Sequence, residues 1–415
     1  MRVTYLNPSG RIGGAEAALL DILASLRKAE PEWKLDLLIS EDGPLALKAK
    51  ALGVSTCVLE FPASLARLGD SSVARLNNST RGKSPGNLTG RLSLLRQLLF
   101  TSPGVRAYVA SLRKLLQQLN PDVIHSNGFK MHLLGALAKP KSTPLVWHVH
   151  DYVQARPFMA RLMKRYHKRC RLALANSNSV ALDLKAACGN SLPVQTLHNG
   201  IDTDVFSPAG DRLDLDSLSG LPGAAPDTIK LGMLATFARW KGHEVFLRAL
   251  ALLPPELDWR GYIVGDALYQ TDGSQYSLAE LRSVAGELGI SDRVGFTGFV
   301  DQPAAAMRAL DIVVHASTEP EPFGLVIVEA MACGRAVIAS DAGGATELFE
   351  TGVNALSHPP GDAAQLAERI TQLAADSDLR KRLGAAGRAD VTEHFNCTRL
   401  AKTLVPIYES VATRA

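Results

Sequence analysis

Short apolar runs that alternate with helical stretches constrain the fold of this 415-residue chain more than any other feature. In the first half these runs are RVTYL, LDLLIS, VSTCVLE, DVIHSN, PLVWHVH, RLALANS and PVQTLHN. The second half repeats the pattern with IKLGML, RGYIVG, RVGFTG, DIVVHAS and RAVIAS. Apolar strands separated by helices predict parallel sheets covered on both faces. A chain of this length exceeds one ordinary core, so we predict an α/β protein with two tandem, doubly wound, Rossmann-like domains.

The charge is divided unevenly along the chain. Residues 1–200 hold 27 Lys and Arg against 12 Asp and Glu, and the remaining residues hold 18 against 29. Such asymmetry indicates domains with different partners, and the basic half would attract an anionic surface or acceptor. We do not expect nucleic acid, because no basic motif with interleaved aromatic residues and no binding module is present.

Several patterns predict a cytoplasmic protein. No run approaches the roughly 18 apolar residues of a membrane span, and Met1 leads straight into a strand without the layout of a signal peptide. The five cysteines are odd in number and lack CxxC spacing. We therefore expect neither a disulfide framework nor zinc.

The segment PEPFGLVIVEAMACGRAVIAS, residues 320–340, predicts a loop, a helix and a buried strand. Two prolines interrupt any preceding element. The helix is expected to run from Leu325 to about Cys333, with Gly334 ending it. Its unpaired amino-terminal amides would lie under whatever sits over Gly324, which is a favourable place for a phosphate.

Two carboxylates bracket this predicted phosphate site. Glu321 lies in the loop just before the helix, and Glu329 lies about one turn into it. Carboxylates do not favour a phosphate alone. They are understandable if each accepts hydrogen bonds from hydroxyls on either side of a diphosphate, with a ribose on one side and a sugar on the other.

Glu321 and Glu329, with PFGLVIV between them and EAMACGRAVIAS around and after the second, resemble the E-x7-E motif of retaining GT-B glycosyltransferases of family 4. The resemblance spans the whole chain and is strongest in residues 230–350. It implies a nucleotide-diphosphate sugar, such as a UDP-sugar, bound by the second domain in the cleft between the domains. Glu329 would then accept from the ribose, Glu321 from the sugar, and the segment Phe323, Gly324 and Leu325 would lie at the diphosphate.

The same resemblance assigns further donor-binding residues in the second domain. Lys241 would place a cation over the diphosphate. Relatives carry an arginine about five residues earlier, where this chain has Thr236, and Arg239 either replaces that arginine or faces solvent. In GFTGFV, Phe299 and Val300 resemble the loop against which the nucleotide base packs.

In the first domain the resemblance assigns site residues at two places. Gly13 and Gly14, followed by Ala15 and Glu16, resemble the GGxE loop that closes over the donor phosphates. His150, at the end of the strand in WHVHD, matches the histidine that hydrogen-bonds the transferred sugar. We interpret His148 as a structural residue that points the other way by strand alternation.

Two basic regions of the first domain keep two interpretations each. Residues 61–120 are either a solvated, mobile insertion or an acceptor-side flap. Residues 156–171 hold seven Lys and Arg and no acid, with Phe158, Leu162 and Tyr166 on one helical face. That segment is either a helix packed on its own domain or a contact with lipid headgroups at the inner face of the membrane.

The domain boundaries follow from the resemblance as well. HNGID, residues 198–202, resembles the segment that closes the first domain, so we predict domains at 1–200 and 201–390 and a helix at 391–415 that crosses back to the first domain. The D-x-D patterns at Asp202 and Asp214 lie in or beside the linker, and we interpret both as accidental. We expect no metal and no cofactor beyond the donor substrate.

The predicted function is that of a retaining, metal-independent hexosyltransferase with an unidentified acceptor, anionic or lipid-linked, in cell-envelope or other glycoconjugate biosynthesis. Two other functions remain open. One is a nucleotide-sugar 2-epimerase on the same fold, which needs additional acid and base groups and no acceptor pocket. The other is a nucleotide-sugar-binding subunit without catalytic activity. Only Thr236, which stands where relatives carry an arginine, favours that interpretation.

Overall fold

The computed structural model describes residues 1–66, 103–267 and 273–413, and the chain divides into two compact units. The first unit holds Met1–His198 and Thr398–Ala415, and the second holds Asn199–Cys397. The chain thus returns to the first unit at Thr398, later than the 391 expected from sequence. The amide of Cys397 donates a hydrogen bond to the carbonyl of Ile201 (2.8 Å), which holds the end of this segment in the second unit.

The first unit is built on a seven-stranded parallel sheet in the order β3-β2-β1-β4-β5-β6-β7. Its strands are β1 (Arg2–Asn7), β2 (Lys34–Ile39), β3 (Ser55–Val58), β4 (Val123–Asn127), β5 (Leu145–Val149), β6 (Leu172–Ala175) and β7 (Val194–Thr196). The strands from β4 to β6 are buried along their whole length, as expected for a parallel sheet with both faces covered.

Helices connect these strands. They are α1 (Gly14–Ala29), α2 (Pro44–Ala51), α3 (Ala63–Ala66), α4 (Pro103–Leu119), α5 (Phe129–Ala138), α6 (Pro157–Tyr166), a 3₁₀ turn (His167–Arg169) and α7 (Asn178–Cys188). The helical stretch that follows Gly13 and Gly14 in the sequence is α1. Most of the predicted flap or insertion at 61–120 lies outside the described residues.

The second unit contains a six-stranded parallel sheet in the order β10-β9-β8-β11-β12-β13. Its strands are β8 (Ile229–Leu234), β9 (Trp259–Val264), β10 (Val294–Gly298), β11 (Ile312–His315), β12 (Ala336–Ser340) and β13 (Leu356–His358). The sequence did not predict β13, because its segment LSH holds one large apolar residue and is followed at once by two prolines, which leaves no apolar run. The prediction of two Rossmann-like domains is confirmed.

Short helices cover this second sheet. They are α8 (Leu215–Ser219), a 3₁₀ turn (Arg239–Lys241), α9 (His243–Ala251), α10 (Leu278–Glu287), α11 (Pro303–Arg308), α12 (Leu325–Ala332), a 3₁₀ turn (Gly344–Glu347), α13 (Ala363–Ala375) and α14 (Ser377–His394). The strand order reverses between β8 and β11, and ligands of such sheets bind beyond the carboxyl ends of the strands at this switch point.

The last helix, α15 (Thr398–Thr413), packs against α1 of the first unit. Tyr408 on α15 is buried, and its hydroxyl makes hydrogen bonds with Nδ1 of His125 (2.7 Å) and the hydroxyl of Tyr5 (3.0 Å). The hydrogen bonds attach the helix to the middle of the first sheet. No helix in the described ranges is long and apolar enough to cross a membrane.

Candidate active site

The loop before α12 is held at the switch point of the second sheet. The amide of Glu321 donates to the carbonyl of Ala342 (3.3 Å), and the amide of Gly344 donates to the carbonyl of Glu321 (2.7 Å). Gly324 caps the helix with φ of 100°, a left-handed conformation that favours glycine. The predicted helix from Leu325 is confirmed. The amide of Ile327 donates to the carbonyl of Gly324 (2.9 Å), and the amides before it are the end groups that a helix leaves without an intrahelical partner.

Three donors converge on one oxygen of Glu321. Its Oε2 lies 2.7 Å from Nζ of Lys241, 2.8 Å from Oγ of Ser317 and 3.1 Å from Nε2 of His315. Nδ1 of His315 accepts from the amide of Ser340 (3.3 Å), so Nε2 carries the proton and donates to the carboxylate.

The charge of Glu321 follows from these contacts. Burial alone would raise its pKa, but the Lys241 ammonium and the hydrogen bonds from its neighbours outweigh burial and hold the pKa well below its usual range. Glu321 is therefore ionised at any physiological pH. Sequence reasoning missed His315 and Ser317, although the polar HAS that ends an otherwise apolar strand run was a usable signal.

The position of Lys241 depends on a close backbone contact. Gly242, which follows it, has φ of 81°, and a Cβ there would collide with the carbonyl oxygen of Ala316. The amide of Thr318 also donates to the carbonyl of Trp240 (2.7 Å). The loops after β8 and β11 are thereby packed together, and Lys241 reaches Glu321.

Glu329 lies on α12 in a different environment. It is half-buried, and burial raises the pKa of its carboxyl to about 7. No described side chain or amide donates a hydrogen bond to this carboxyl group. It is therefore poised between its neutral and ionised forms near neutral pH, and hydrogen-bond donors from a ligand would favour the ionised form.

Arg239 is engaged elsewhere in the second unit. Its Nη2 lies 2.6 Å from Oε1 of Glu280, and its guanidinium lies 4.2 Å from the ring centroid of Tyr276. The hydrogen bond to Glu280 raises the pKa of Arg239. Of the two interpretations open for Arg239, the structure gives this side chain a partner on α10 and does not bring it to Glu321.

The remaining predicted donor residues differ in exposure. Phe299 is 69% exposed at the carboxyl end of β10, and Val300 packs against the apolar core. The ring of Phe323 is buried against Phe395, with 6.2 Å between ring centroids, so Phe323 contributes to the core through its side chain. Leu325 is half-buried at the start of α12.

In the first unit, the glycine loop is tied to the sheet by a residue that sequence reasoning left without a role. Glu16 accepts hydrogen bonds from the amide of Gly13 (3.1 Å) and from Nδ2 of Asn7 (3.3 Å). Asn7 in turn accepts from Nδ2 of Asn127 (2.8 Å). This chain of contacts positions Gly13 and Gly14 beyond β1 and β4. Glutamate three residues after a helix cap is a recognisable capping signal.

His150 lies just beyond β5 with an unusual lack of partners. Neither ring nitrogen makes a hydrogen bond with a described residue, and both nitrogens are buried. Burial lowers the pKa of His150 to about 4, so the ring is neutral near pH 7. A neutral imidazole has one donor and one acceptor, which suits it for a ligand hydroxyl.

The expectation that His148 points away from His150 is wrong. Their ring centroids lie 4.0 Å apart. Residues two apart in an extended strand share a face, so alternation places these histidines on the same side. His148 itself is buried and neutral, because burial holds its pKa well below the usual value.

The basic helix α6 packs on its own unit. Leu162 and Tyr166 contact the apolar core, while Arg161, Lys164 and Arg165 are exposed. Of the two interpretations left open, the packing of the apolar face agrees with a helix packed on its own domain. Its exposed cations still form a basic surface.

The D-x-D patterns have structural roles in the described residues. Oδ1 of Asp202 accepts from the amides of Asp204 and Val205 in a turn. Asp214 caps α8 by accepting from the amide of Ser217 (3.0 Å). In the described part of the chain no group of three or more His, Cys, Asp and Glu side chains is arranged to hold a metal ion.

Comparisons with known families agree with this geometry. The sequence model described as Glycosyl transferases group 1 matches residues 222–390, and the one described as Glycosyltransferase Family 4 matches residues 51–205. The two matches together take in more than half of the chain. This chain belongs to glycosyltransferase family 4.

Individual relatives show the same fold and class. N-acetyl-alpha-D-glucosaminyl L-malate synthase of Bacillus anthracis is 26% identical to this glycosyltransferase over 74% of this chain and 79% of its own. The lipopolysaccharide core biosynthesis mannosyltransferase LpsB of Rhizobium meliloti is 27% identical over 78% of this chain and 95% of its own. The crystal structure of HepE from Anabaena in complex with UDP-glucose has a TM-score of 0.77 at 27% identity, covering 99% of this chain and 100% of HepE. The predictions of the GT-B fold and of a glycosyltransferase are confirmed.

Proposed function

We propose that this glycosyltransferase moves a sugar from a nucleotide-diphosphate sugar to its acceptor with retention of configuration and without a metal ion. The observation that supports it most is the convergence of Lys241, His315 and Ser317 on Glu321 beside the amino end of α12. The cluster combines a cation and free amides for a diphosphate with an ionised carboxylate for sugar hydroxyls. Because HepE binds UDP-glucose, a UDP-sugar is the donor to test first.

The two glutamates have separate tasks in this proposal. Glu329 accepts hydrogen bonds from the ribose hydroxyls, which bring the donors that its half-buried carboxyl lacks. Glu321, which three donors hold in place, accepts from hydroxyls of the transferred sugar. In the first unit, neutral His150 binds another hydroxyl of that sugar. Phe299, Val300 and Arg239 are proposed to flank the nucleotide.

The leaving diphosphate needs positive charge as the glycosidic bond breaks. Lys241 has three N–H donors, so it can contact a phosphate while it keeps its bond to Glu321. The amides of Gly324 and Leu325 add helix-end donors, and the amide of Gly14 adds a donor from the first unit. Preorganised donors of this kind stabilise developing charge without a metal.

Retention requires either that a side chain attacks the sugar first and is displaced in a second step, or that the acceptor attacks on the face that the diphosphate leaves. Glu321 is a poor nucleophile because its charge is shared with three donors and its pKa is low. The acceptor would instead attack on the face that the diphosphate leaves, with the diphosphate taking the acceptor's proton. NMR coupling constants of the first-formed product test this step: we expect the anomeric configuration of the donor, and inversion would overturn the assignment.

Two assays test the donor and the metal independence. Among a panel of nucleotide sugars, the true donor should raise the melting temperature of the protein by mass action. This increase should be smaller in Glu329→Ala but unchanged in Glu368→Ala, which alters an exposed glutamate on α13. Turnover should survive EDTA. Loss of activity on chelation that Mg²⁺ or Mn²⁺ restores would contradict the proposal.

The acceptor is proposed to be anionic or lipid-linked and to belong to cell-envelope or another glycoconjugate. The excess of basic residues in the first 200 positions and the name of LpsB support this. We further propose a cytoplasmic enzyme that reaches the inner membrane face through the exposed cations of α6, each worth about 1 kcal/mol at an anionic bilayer. Co-sedimentation should then require anionic vesicles and low salt, and equal pelleting with neutral vesicles would argue against it.

The alternative functions are separated by incubation with donor alone. A 2-epimerase would convert the sugar without acceptor, whereas a binding subunit would leave donor unchanged even when acceptor is supplied. With donor alone we expect slow hydrolysis of the donor at most. With donor and acceptor together we expect transfer of the sugar. Either alternative result would replace the proposed reaction.

A further inference from the structure

A wide basic cavity lies in the first unit, outside all the residues assigned to sugar transfer. Its volume is about 910 Å³. Six of its lining residues are lysines or arginines and none is acidic, and the six are Arg113, Lys139, Lys141, Lys168, Arg169 and Arg171. His167 and Ser191 complete one wall, where Nε2 of His167 lies 2.9 Å from the serine hydroxyl.

Three of these cations are fixed by neutral backbone carbonyls. Arg113 donates to the carbonyl of Leu137 (2.7 Å), Arg169 to that of Ala136 (3.1 Å), and Lys139 to that of Thr143 (2.9 Å). The carbonyls of Ala136 and Leu137 at the end of α5, and that of Thr143 in the loop after it, orient the side chains but leave their full charges in place. Burial and the neighbouring Arg169 lower the pKa of Lys139, as expected where positive charge is concentrated without an acid.

The other three cations have no such engagement. The side chains of Lys141, Lys168 and Arg171 are exposed and form neither a hydrogen bond nor an ion pair with any residue in the described ranges. They come from two connections of the chain, since Lys141 lies between α5 and β5, whereas Lys168 and Arg171 lie between α6 and β6. The fold therefore gathers unpaired charge from separate parts of the chain.

The cavity lies at the end of the sheet opposite to His150. Thr143, Pro144 and Leu145 line it at the amino end of β5, and His150 follows the carboxyl end of the same strand. A five-residue strand at about 3.3 Å per residue separates the two places by about 15 Å. A ligand of this cavity would be distinct from the donor and the transferred sugar.

We propose that this cavity binds a phosphate-bearing anion. Three cations held by carbonyls and three unpaired cations around an acid-free space suit a ligand with more than one negative oxygen, because charge-assisted hydrogen bonds to phosphate are among the strongest that side chains make. The phosphates can belong to a soluble polyphosphate or to a lipid headgroup at a membrane surface. The inference does not depend on the proposed donor or acceptor.

The test uses the full chain and a matched pair of triple variants. In the cavity variant Lys141, Lys168 and Arg171 are changed to Ala. In the control Lys28, Lys48 and Lys50, which are exposed on α1 and α2 away from the cavity and from α6, are changed to Ala, which removes the same charge from the same unit. Tripolyphosphate binding is measured by calorimetry at low salt, and flotation is measured with phosphatidylglycerol and with phosphatidylcholine vesicles. Thermal melts check that both variants are folded.

We expect the cavity variant to bind tripolyphosphate at least about tenfold more weakly than wild type, with the control within about twofold. If only flotation on phosphatidylglycerol is lost in the cavity variant and retained in the control, the phosphates are those of a lipid headgroup. Equal tripolyphosphate affinity and equal flotation in both variants would overturn the proposal, as would equal losses in both. If tripolyphosphate bound only at the donor site, both variants would keep the same affinity for it, and that result would therefore count against the cavity.

Discussion

The Nζ atom of Lys241 lies 2.7 Å from Oε2 of Glu321, although 80 residues separate the two in sequence. The contact joins the loops that follow β8 and β11, the strands on either side of the switch point. Desolvation offsets much of the attraction in a buried ion pair, so such a pair is weak evidence for stability. A pair that holds a lysine and an ionised glutamate beside a helix amino end is better explained by ligand binding.

Replacing Lys241 by Gln should lower kcat/KM for the donor. The loss of a charge-assisted hydrogen bond costs about 1.5–3 kcal/mol, or about 10- to 150-fold in rate. Steady-state kinetics measure the effect. Lys230→Gln is the control, because Lys230 pairs with Asp216 at 3.7 Å in the same unit and carries the same charge. Equal kinetics in the two variants would remove Lys241 from the site.

Substitution of Glu329 and substitution of Glu321 should affect different kinetic quantities. Glu329→Ala should mainly weaken donor binding, and Glu321→Ala should mainly lower kcat, each by about 1.5–3 kcal/mol. Calorimetry with the donor and rapid-quench turnover separate the two quantities. Wild-type kinetics in both variants would contradict the assignment, and Glu368→Ala on α13 should leave both quantities unchanged.

Donor affinity should depend on pH through Glu329. Burial raises the pKa of this carboxyl to about 7, and ligand hydroxyls donate to its ionised form. Affinity should therefore rise about tenfold from pH 6 to pH 8, and Glu329→Gln should show a flatter profile. Protonation of Glu329 also stabilises the folded chain, because its pKa in the folded state lies above the usual glutamate pKa. This contribution to the free energy of unfolding is complete at a pH below the usual glutamate pKa and is lost as the pH rises through 7. A flat wild-type binding profile would contradict both the pKa and the ribose contact.

Removal of a donor from Glu321 should shift the acidic limb of the kcat profile. His315→Ala and Ser317→Ala each take one hydrogen bond from the carboxylate, so its pKa should rise and turnover should fall at a higher pH than in wild type. His315→Gln keeps an N–H donor and should therefore cancel part of the shift that His315→Ala produces. Ser283→Ala, which affects an exposed contact with Glu287, is the control. An unmoved acidic limb would mean that these residues do not position Glu321.

Tyr408→Phe should destabilise the first unit. The change leaves buried Nδ1 of His125 without its hydroxyl partner, which costs about 1–3 kcal/mol. The melting temperature should fall by about 2–4 °C for each kcal/mol. Tyr108→Phe is the matched control, since its hydroxyl has no partner among the described residues. Equal melting temperatures would show that the hydroxyl of Tyr408 does not hold α15.

Local sequence predicted much of this protein. All the strands inferred from apolar runs are present, and only β13 among the described strands was missed, because a single large apolar residue, Leu356, precedes two prolines there. The segment from Pro320 to Ser340 was interpretable as loop, helix and strand because its two prolines, its two glycines and its apolar residues act on near neighbours. Composition and period were sufficient for two Rossmann-like domains.

The environment of each site residue required the tertiary structure. Glu321 and Glu329 belong to one motif, yet one is ionised by three donors and the other has a pKa of about 7. The difference depends on His315, Ser317 and Lys241, which approach through the strand order of the sheet. Apolar periodicity specifies which face of an element is buried but not which strands become neighbours. The sequence by itself therefore determined the elements and the motif, and packing at the switch point decided the charges and contacts within it.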